Sequence, residues 1–175
     1  MSTTTDDLVL TGRSWVFGHQ VTTDDMFPGY AMRLPIAQAA HEMFNASRTG
    51  WPEMVRPGDI VVGGTNFGLG SSRPVALLFR ELGVACLLAE SFNSLFLRNC
   101  INYGLPILAV PGISSAVTEG DELSVDVVNA TVRNRSTGAV LTSKPYPQFL
   151  IEILQRGGLL QRLEEDGYLR PGTTD

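Results

Sequence analysis

The stretch Val61–Glu90, VVGGTNFGLGSSRPVALLFRELGVACLLAE, decides the fold. It opens within an apolar run, Asp59–Gly64, which has the length of a short buried strand bounded by glycine. A loop rich in glycine and serine follows. From Pro74 onward Val75, Leu78, Phe79 and Leu82 recur at helical spacing, and Gly83 falls where helices commonly end on a left-handed residue. Val84–Glu90 is then a continuous apolar run, the pattern of a strand covered on both faces. Strand, crossover helix and strand make a parallel α/β unit.

The unit extends on both sides. Ser91 is a candidate N-cap for a helix over 92–103, with Phe92, Leu95, Phe96 and Asn99–Cys100 in one stripe and Gly104 ending it. LPILAV, Leu105–Val110, reads as the next strand. Between Glu122 and Ser143 the short runs ELSVDVV, ATVRNR and GAVLTS alternate and are separated by turn residues, which predicts antiparallel pairing. YPQFLIEILQRGG is an amphipathic helix, and LLQRLEEDG continues it or starts another. Upstream, Ser14–Gly18 reads as a strand and Leu34–Asn45 as a helix, with an irregular connection to Asp59. The expectation is α/β: one domain over 1–175 with a parallel strand–helix–strand core and an antiparallel β appendage. Residues 1–7 and about 166–175 read as flexible ends.

Composition narrows the chemistry. The formal charge is −5 with no basic block, so a nucleic-acid surface is not expected. No apolar run reaches the ~18 residues that span a bilayer, and MSTTTDDLVL lacks the basic start and apolar centre of a signal peptide. A cytoplasmic location and no membrane contact are expected. Cys86 and Cys100 form no CxxC pair, and His19 and His41 are the only histidines. No metal or iron–sulfur site is therefore expected within the chain. Both cysteines read as buried neutral thiols, and both histidines as surface or packing residues.

The loop Gly68–Arg73 carries the chemical interest. Glycines 68 and 70 let backbone approach a ligand closely. A helix starting near Ser72–Pro74 would aim N–H groups and its positive end at an anion, and Arg73 adds a planar fork suited to a carboxylate. The loop has no lysine before its hydroxyl residues, as a phosphate-binding Walker loop requires, and GxGSSR is not GxGxxG. A plain strand-to-helix turn is the competing reading, as a helix cap is for Asp24–Asp25.

Three blocks, SWVFGHQVTTDDMFPGY (14–30), GTNFGLGSSRPVA (64–76) and AESFNSLFLRNCINYGLPIL (89–108), together resemble the small subunit of 3-isopropylmalate dehydratase. That subunit is the free-standing counterpart of the swivelling C-terminal domain of aconitase. The resemblance runs from about Gly12 to Leu163 and implies a swivelling β/β/α domain closing over a large subunit that holds a [4Fe–4S] cluster. Together the two would isomerise or dehydrate a 2-hydroxy di- or tricarboxylate by removing water and adding it back; the small subunit would be inactive alone. Carried over by motif, Ser71 is the catalytic base, Ser72 and Arg73 bind a substrate carboxylate, and Asp24 is an active-site aspartate. Arg33, in YAMRLP, is the candidate for reading the variable substituent, with Met32 beside it as an apolar alternative. Leucine biosynthesis is one implied setting. A related subunit for a methyl-substituted malate or a homoaconitate-type diacid is an alternative, as is a non-catalytic anion-binding module. Two departures stand out. Pro74 and Val75 replace the family's usual Glu and His after GSSR, and Leu69 replaces its cysteine, which reads as a packing change.

Overall fold

The computed structural model describes residues 8–172. Seven strands, β1 (Val9–Val16), β2 (Ile60–Gly63), β3 (Cys86–Ala89), β4 (Ile107–Ala109), β5 (Glu122–Asp126), β6 (Thr131–Asn134) and β7 (Val140–Thr142), form one sheet in the order β4-β3-β2-β1-β5-β6-β7. The pairs β1–β2, β2–β3 and β3–β4 are parallel; β1–β5, β5–β6 and β6–β7 are antiparallel. The antiparallel runs are thus not an appendage hung on the core but the other half of the same sheet.

β1 joins the halves by changing partners. Its residues Val9–Arg13 pair with β5, and Ser14–Val16 pair with β2. The sequence shows only the second part as a strand. VLTGR is too polar to announce itself, and β5 recruits it as a ladder partner. The sheet curls until its ends meet: Ser143, just after β7, donates its hydroxyl to Ala109 O of β4, and Tyr146 donates to Ile107 O at 2.7 Å. Prolines 145 and 147 cannot donate backbone N–H groups, so side-chain hydroxyls satisfy the carbonyls of this edge.

Helices pack on the parallel half. They are α1 (Thr23–Met26), α2 (Ile36–Ala40), α3 (Trp51–Met54), α4 (Val75–Glu81), α5 (Ser94–Asn102), α6 (Ile113–Ala116), α7 (Gln148–Gln155) and α8 (Leu159–Glu165), with a 3-10 turn over Gly29–Arg33. The helix expected over Leu34–Asn45 is shorter: α2 stops at Ala40, and Phe44 has φ +55°. That bend stacks Phe44 on Phe17 at 4.4 Å and sets it against Trp51 at 5.2 Å, so aromatic burial overrides helix continuation. Asn93, not Ser91, caps α5, accepting from Leu95 N at 3.1 Å. Ser91 Oγ instead accepts from Asn66 N at 2.8 Å, tying β3's end to the loop after β2.

The core is continuous across both halves of the sheet, from Val61, Leu87 and Ile107 to Leu123, Val125 and Val132. Cys86 and Cys100 are buried in it, and burial pushes both thiols well above their ordinary range. The chain beyond α8 turns back, with Tyr168 N donating to Leu163 O at 2.8 Å. Of the ends expected to be flexible, 1–7 and about 166–175, residues 1–7 and 173–175 lie outside the described residues. Among the described residues no helix is long and apolar enough to cross a membrane.

Candidate active site

All four parallel strands direct their C-terminal ends the same way, and the loops leaving β1 and β2 meet there. Thr22 and Leu69 form a parallel bridge; Thr23 N donates to Leu69 O at 2.9 Å, and Gly68 N to Val21 O at 2.9 Å. The TTDD segment is thereby laced to the Gly–Ser loop along their backbones. Thr22 caps α1 by accepting from Asp25 N at 3.2 Å, which leaves Asp24 on the first turn, largely exposed. The cap of this turn is Thr22 rather than the Asp24–Asp25 doublet, and Asp24 faces the neighbouring loop.

Asp24 forms an ion pair with Arg73, and the other end of that guanidinium donates to Phe27 O at 2.6 Å. Arg73 is only 16% exposed. Two acceptors from one segment thus fix the fork of a residue 49 positions away, and a half-buried cation of this kind is held in one orientation rather than free to wander. Thr23 Oγ1 donates to Ser71 O at 3.0 Å and fixes the loop backbone at the serine itself.

The glycines are required by geometry. Gly68 has φ +84°, and a Cβ there would lie 2.2 Å from Phe96 Cγ. Gly70 has φ +123°, and its Cβ would meet Thr23 Oγ1 at 2.9 Å. Both positions combine a left-handed conformation with a close neighbour, which only glycine tolerates.

Ser71 and Ser72 are exposed, and neither side chain makes a hydrogen bond among the described residues. Together with Thr23, Arg73, Leu95, Phe96 and Asn99 they line a shallow hollow with no enclosed room for a water molecule. The wall is half a pocket: polar groups are aimed at an open side.

The helix behind the loop behaves differently from the sequence expectation. α4 begins at Val75 with Pro74 as its N-cap, so it starts later than Ser72. Val75 N donates to Arg73 O at 2.7 Å and Ala76 N to Asn99 Oδ1 at 3.4 Å. The first N–H groups of α4 are therefore consumed inside the chain, and the anion-binding capacity of the loop rests on Arg73 and the serines. Val75 is fully buried. Leu69 is 36% exposed at the rim, so its place in the sequence is not explained by packing.

Arg33 ends the 3-10 turn, is exposed and makes no side-chain hydrogen bond or ion pair among the described residues. It is not brought into the hollow. Sequence reasoning missed Thr23 and the Phe27 carbonyl; of these only Thr23 had a visible signal, as part of the TTDD run. His19 accepts from Thr65 N at 2.9 Å and His41 pairs with Glu53 at 3.4 Å, so both have structural roles. Among the described residues no cluster of three or more His, Cys, Asp or Glu side chains could hold a metal ion.

The aconitase C-terminal domain family model matches residues 51–111. Over 159 residues the chain is 42% identical to the isopropylmalate/citramalate isomerase small subunit of Methanocaldococcus jannaschii, covering 90% of this chain and 95% of that protein. The chain belongs to the isopropylmalate dehydratase small-subunit family. That membership places it among the subunits of aconitase-family hydro-lyases. Other relatives show the family's breadth. The 3-isopropylmalate dehydratase small subunit 1 of Methanopyrus kandleri is 40% identical, covering 91% of this chain and 95% of that one. The methanogen homoaconitase small subunit of Methanothermobacter thermautotrophicus is 38% identical, covering 87% and 89%. The crystal structure of 3-isopropylmalate dehydratase from Methanocaldococcus jannaschii superposes with a TM-score of 0.84 at 28% identity, covering 91% of this chain and 96% of that one. The curled mixed sheet is the family's fold.

Proposed function

We propose that this chain is the small-subunit half of a two-subunit hydro-lyase acting on a 2-hydroxy dicarboxylate, with Ser71 as the base and Ser72 and Arg73 as the carboxylate grip. One observation carries the reading. The Asp24–Arg73 ion pair unites TTDD and GSSR into a single wall, and the Ser71 and Ser72 hydroxyls are unspent on its open side. A wall this well fixed, with no enclosed volume of its own, is suited to be completed by a partner.

The chain's own residues do not fit an iron–sulfur cluster. Its two cysteines are sealed in the core on β3 and α5, and a cluster needs more thiolates than that, at a surface. In this reading the cluster sits in the large subunit, where it supplies Lewis acidity toward the departing hydroxyl. This chain would then orient the substrate: Arg73, with two N–H groups spent on Asp24 and Phe27 O, keeps others for a carboxylate. Ser71 Oγ, acting as an alkoxide-like base, would take the proton from the substrate carbon to become the neutral hydroxyl, and return it on the reverse addition. The whole of 1–175 is read as one swivelling unit that closes this wall over the partner's site.

Isopropylmalate is the leading substrate class, which would place the chain in leucine biosynthesis. A second reading, a diacid with a charged variable group, is favoured by Arg33, which is exposed and has no partner among the described residues. Co-expression with the cluster-bearing large subunit and a hydration assay on a panel of unsaturated diacids tests both. Turnover that survives Ser71→Ala overturns the mechanism. Arg33→Ala raising KM only for tricarboxylates supports the second reading, and an unchanged KM across the panel removes it.

A further inference from the structure

Asn99 stands one turn beyond Phe96 on α5 and lines the Ser71 hollow. Its Oδ1 accepts the Ala76 N–H at 3.4 Å. Of the two arms of a side-chain amide only the oxygen can accept, so this bond decides which way round the amide lies. The other arm, Nδ2, makes no hydrogen bond among the described residues. It is not sealed in the core either: among those residues Trp51 Nε1 is the only buried side-chain nitrogen or oxygen without a partner. A half-buried amide thus has its oxygen tied to the start of α4 and its two N–H donors open beside the hollow.

The other polar groups of the hollow are more heavily committed. Thr23 Oγ1 is spent on Ser71 O, and the first N–H groups of α4 go to Arg73 O and Asn99. Arg73 gives N–H groups to Asp24 and Phe27 O. Asp24 also offsets part of the guanidinium charge, so attraction for a substrate carboxylate leans on directed hydrogen bonds as well as on charge. A neutral donor adds such a bond without adding a charge that needs a partner of its own. Ala76, to which the Asn99 oxygen is tied, is three residues beyond Arg73, so the amide stands on the carboxylate-gripping side of the hollow.

We propose that Asn99 is a substrate-binding residue, its Nδ2 donating to the carboxylate that Ser72 and Arg73 hold. The inference rests on the function proposed above and adds a third side chain, from a second helix, to that grip.

Two substitutions separate binding from bracing. Asn99→Asp keeps an oxygen for the Ala76 N–H and removes only the donor, whereas Asn99→Leu removes both. In the complex with the large subunit, each should raise KM for the diacid about tenfold and leave kcat within about twofold of the native value. In the free chain Asn99→Leu should lower the thermal midpoint by about 3 °C, and Asn99→Asp should leave it near native. A KM raised by Asn99→Leu alone assigns the effect to the brace on α4 and overturns the proposal. A KM raised by Asn99→Asp alone assigns it to the new charge beside Arg73 and overturns it too, as does a kcat that falls in both at unchanged KM. A complex that hydrates no unsaturated diacid overturns the functional reading and this inference with it. An active complex with native KM in both variants overturns this inference alone.

Discussion

The two halves of the sheet use the same hydrogen-bond chemistry and give different things. In the antiparallel half, β5, β6 and β7 are joined by tight connections at Asp126–Thr131 and Asn134–Val140. Their polar groups turn inward to stabilise those turns: Asn134, fully buried, donates to Ala116 O and Asp121 and accepts from Ser136 N and Thr137 N. In the parallel half β1, β2 and β3 are each followed by a crossover to the next parallel strand, so each of their C-terminal ends releases a longer segment at the same edge. Those segments have room to carry chemistry, and the loops after β1 and β2 meet in the Asp24–Arg73 pair. Parallel topology gathers residues distant in sequence, whereas hairpins keep near neighbours together.

Substitutions in the two halves should therefore separate activity from stability. The largest effect is expected from Ser71→Ala: kcat of the assembled enzyme should drop on the order of 10³-fold, with an unchanged thermal midpoint because Ser71 is exposed and unbonded. Steady-state kinetics beside a melting curve checks both parts. Gly68→Ala should cost about 3 kcal/mol by urea denaturation, through the left-handed φ and the overlap with Phe96. It should also lower activity, since the loop and the wall are one object. Asn134→Ala should cost about 2 kcal/mol, because it strands buried hydrogen-bonding groups of its turn; kcat and KM should stay unchanged. A loss of kcat in that variant would break the division between the halves.

The smallest effect is expected from Glu90, at the end of β3. The Ser114 hydroxyl, chiefly, holds its carboxyl below the ordinary value of 4.5; desolvation opposes it, and the Gly112 and Ser114 N–H groups add to the lowering. A carboxyl depressed in the folded state contributes stability above pH 4.5 and loses it as the pH falls through the folded value. Urea midpoints of the native chain and Glu90→Gln should thus differ at pH 7 and converge as the pH falls through the folded value. A constant difference would show that the carboxylate charge is not what Glu90 contributes.

How much of this was legible varies by element. Val75–Gly83 and Val84–Glu90 announce themselves because burial demands apolar residues at fixed spacing, and the structure places α4 and β3 within those bounds. The alternation across Glu122–Ser143 was equally plain. The first five residues of β1 were not, since Val9–Arg13 is a strand only because β5 lies beside it. The cap of α5 was misread by two residues because Ser91 and Asn93 are both good caps, and the choice was made by Asn66, which takes the serine.

The candidate site divides the same way. By itself the sequence determined that a Gly–Ser–Arg loop links a buried strand to a helix, that TTDD is a second polar segment, and that the cysteines are too few for a cluster. These follow from local composition and spacing. Only the tertiary structure decided that Asp24 reaches Arg73, that Thr23 holds Ser71, and that the first N–H groups of α4 are spent on Arg73 O and Asn99. It also separated Arg33 from the hollow. Which side chains meet across some fifty residues depends on how the sheet curls and where its parallel ends converge, and that is set by the packing of the whole core.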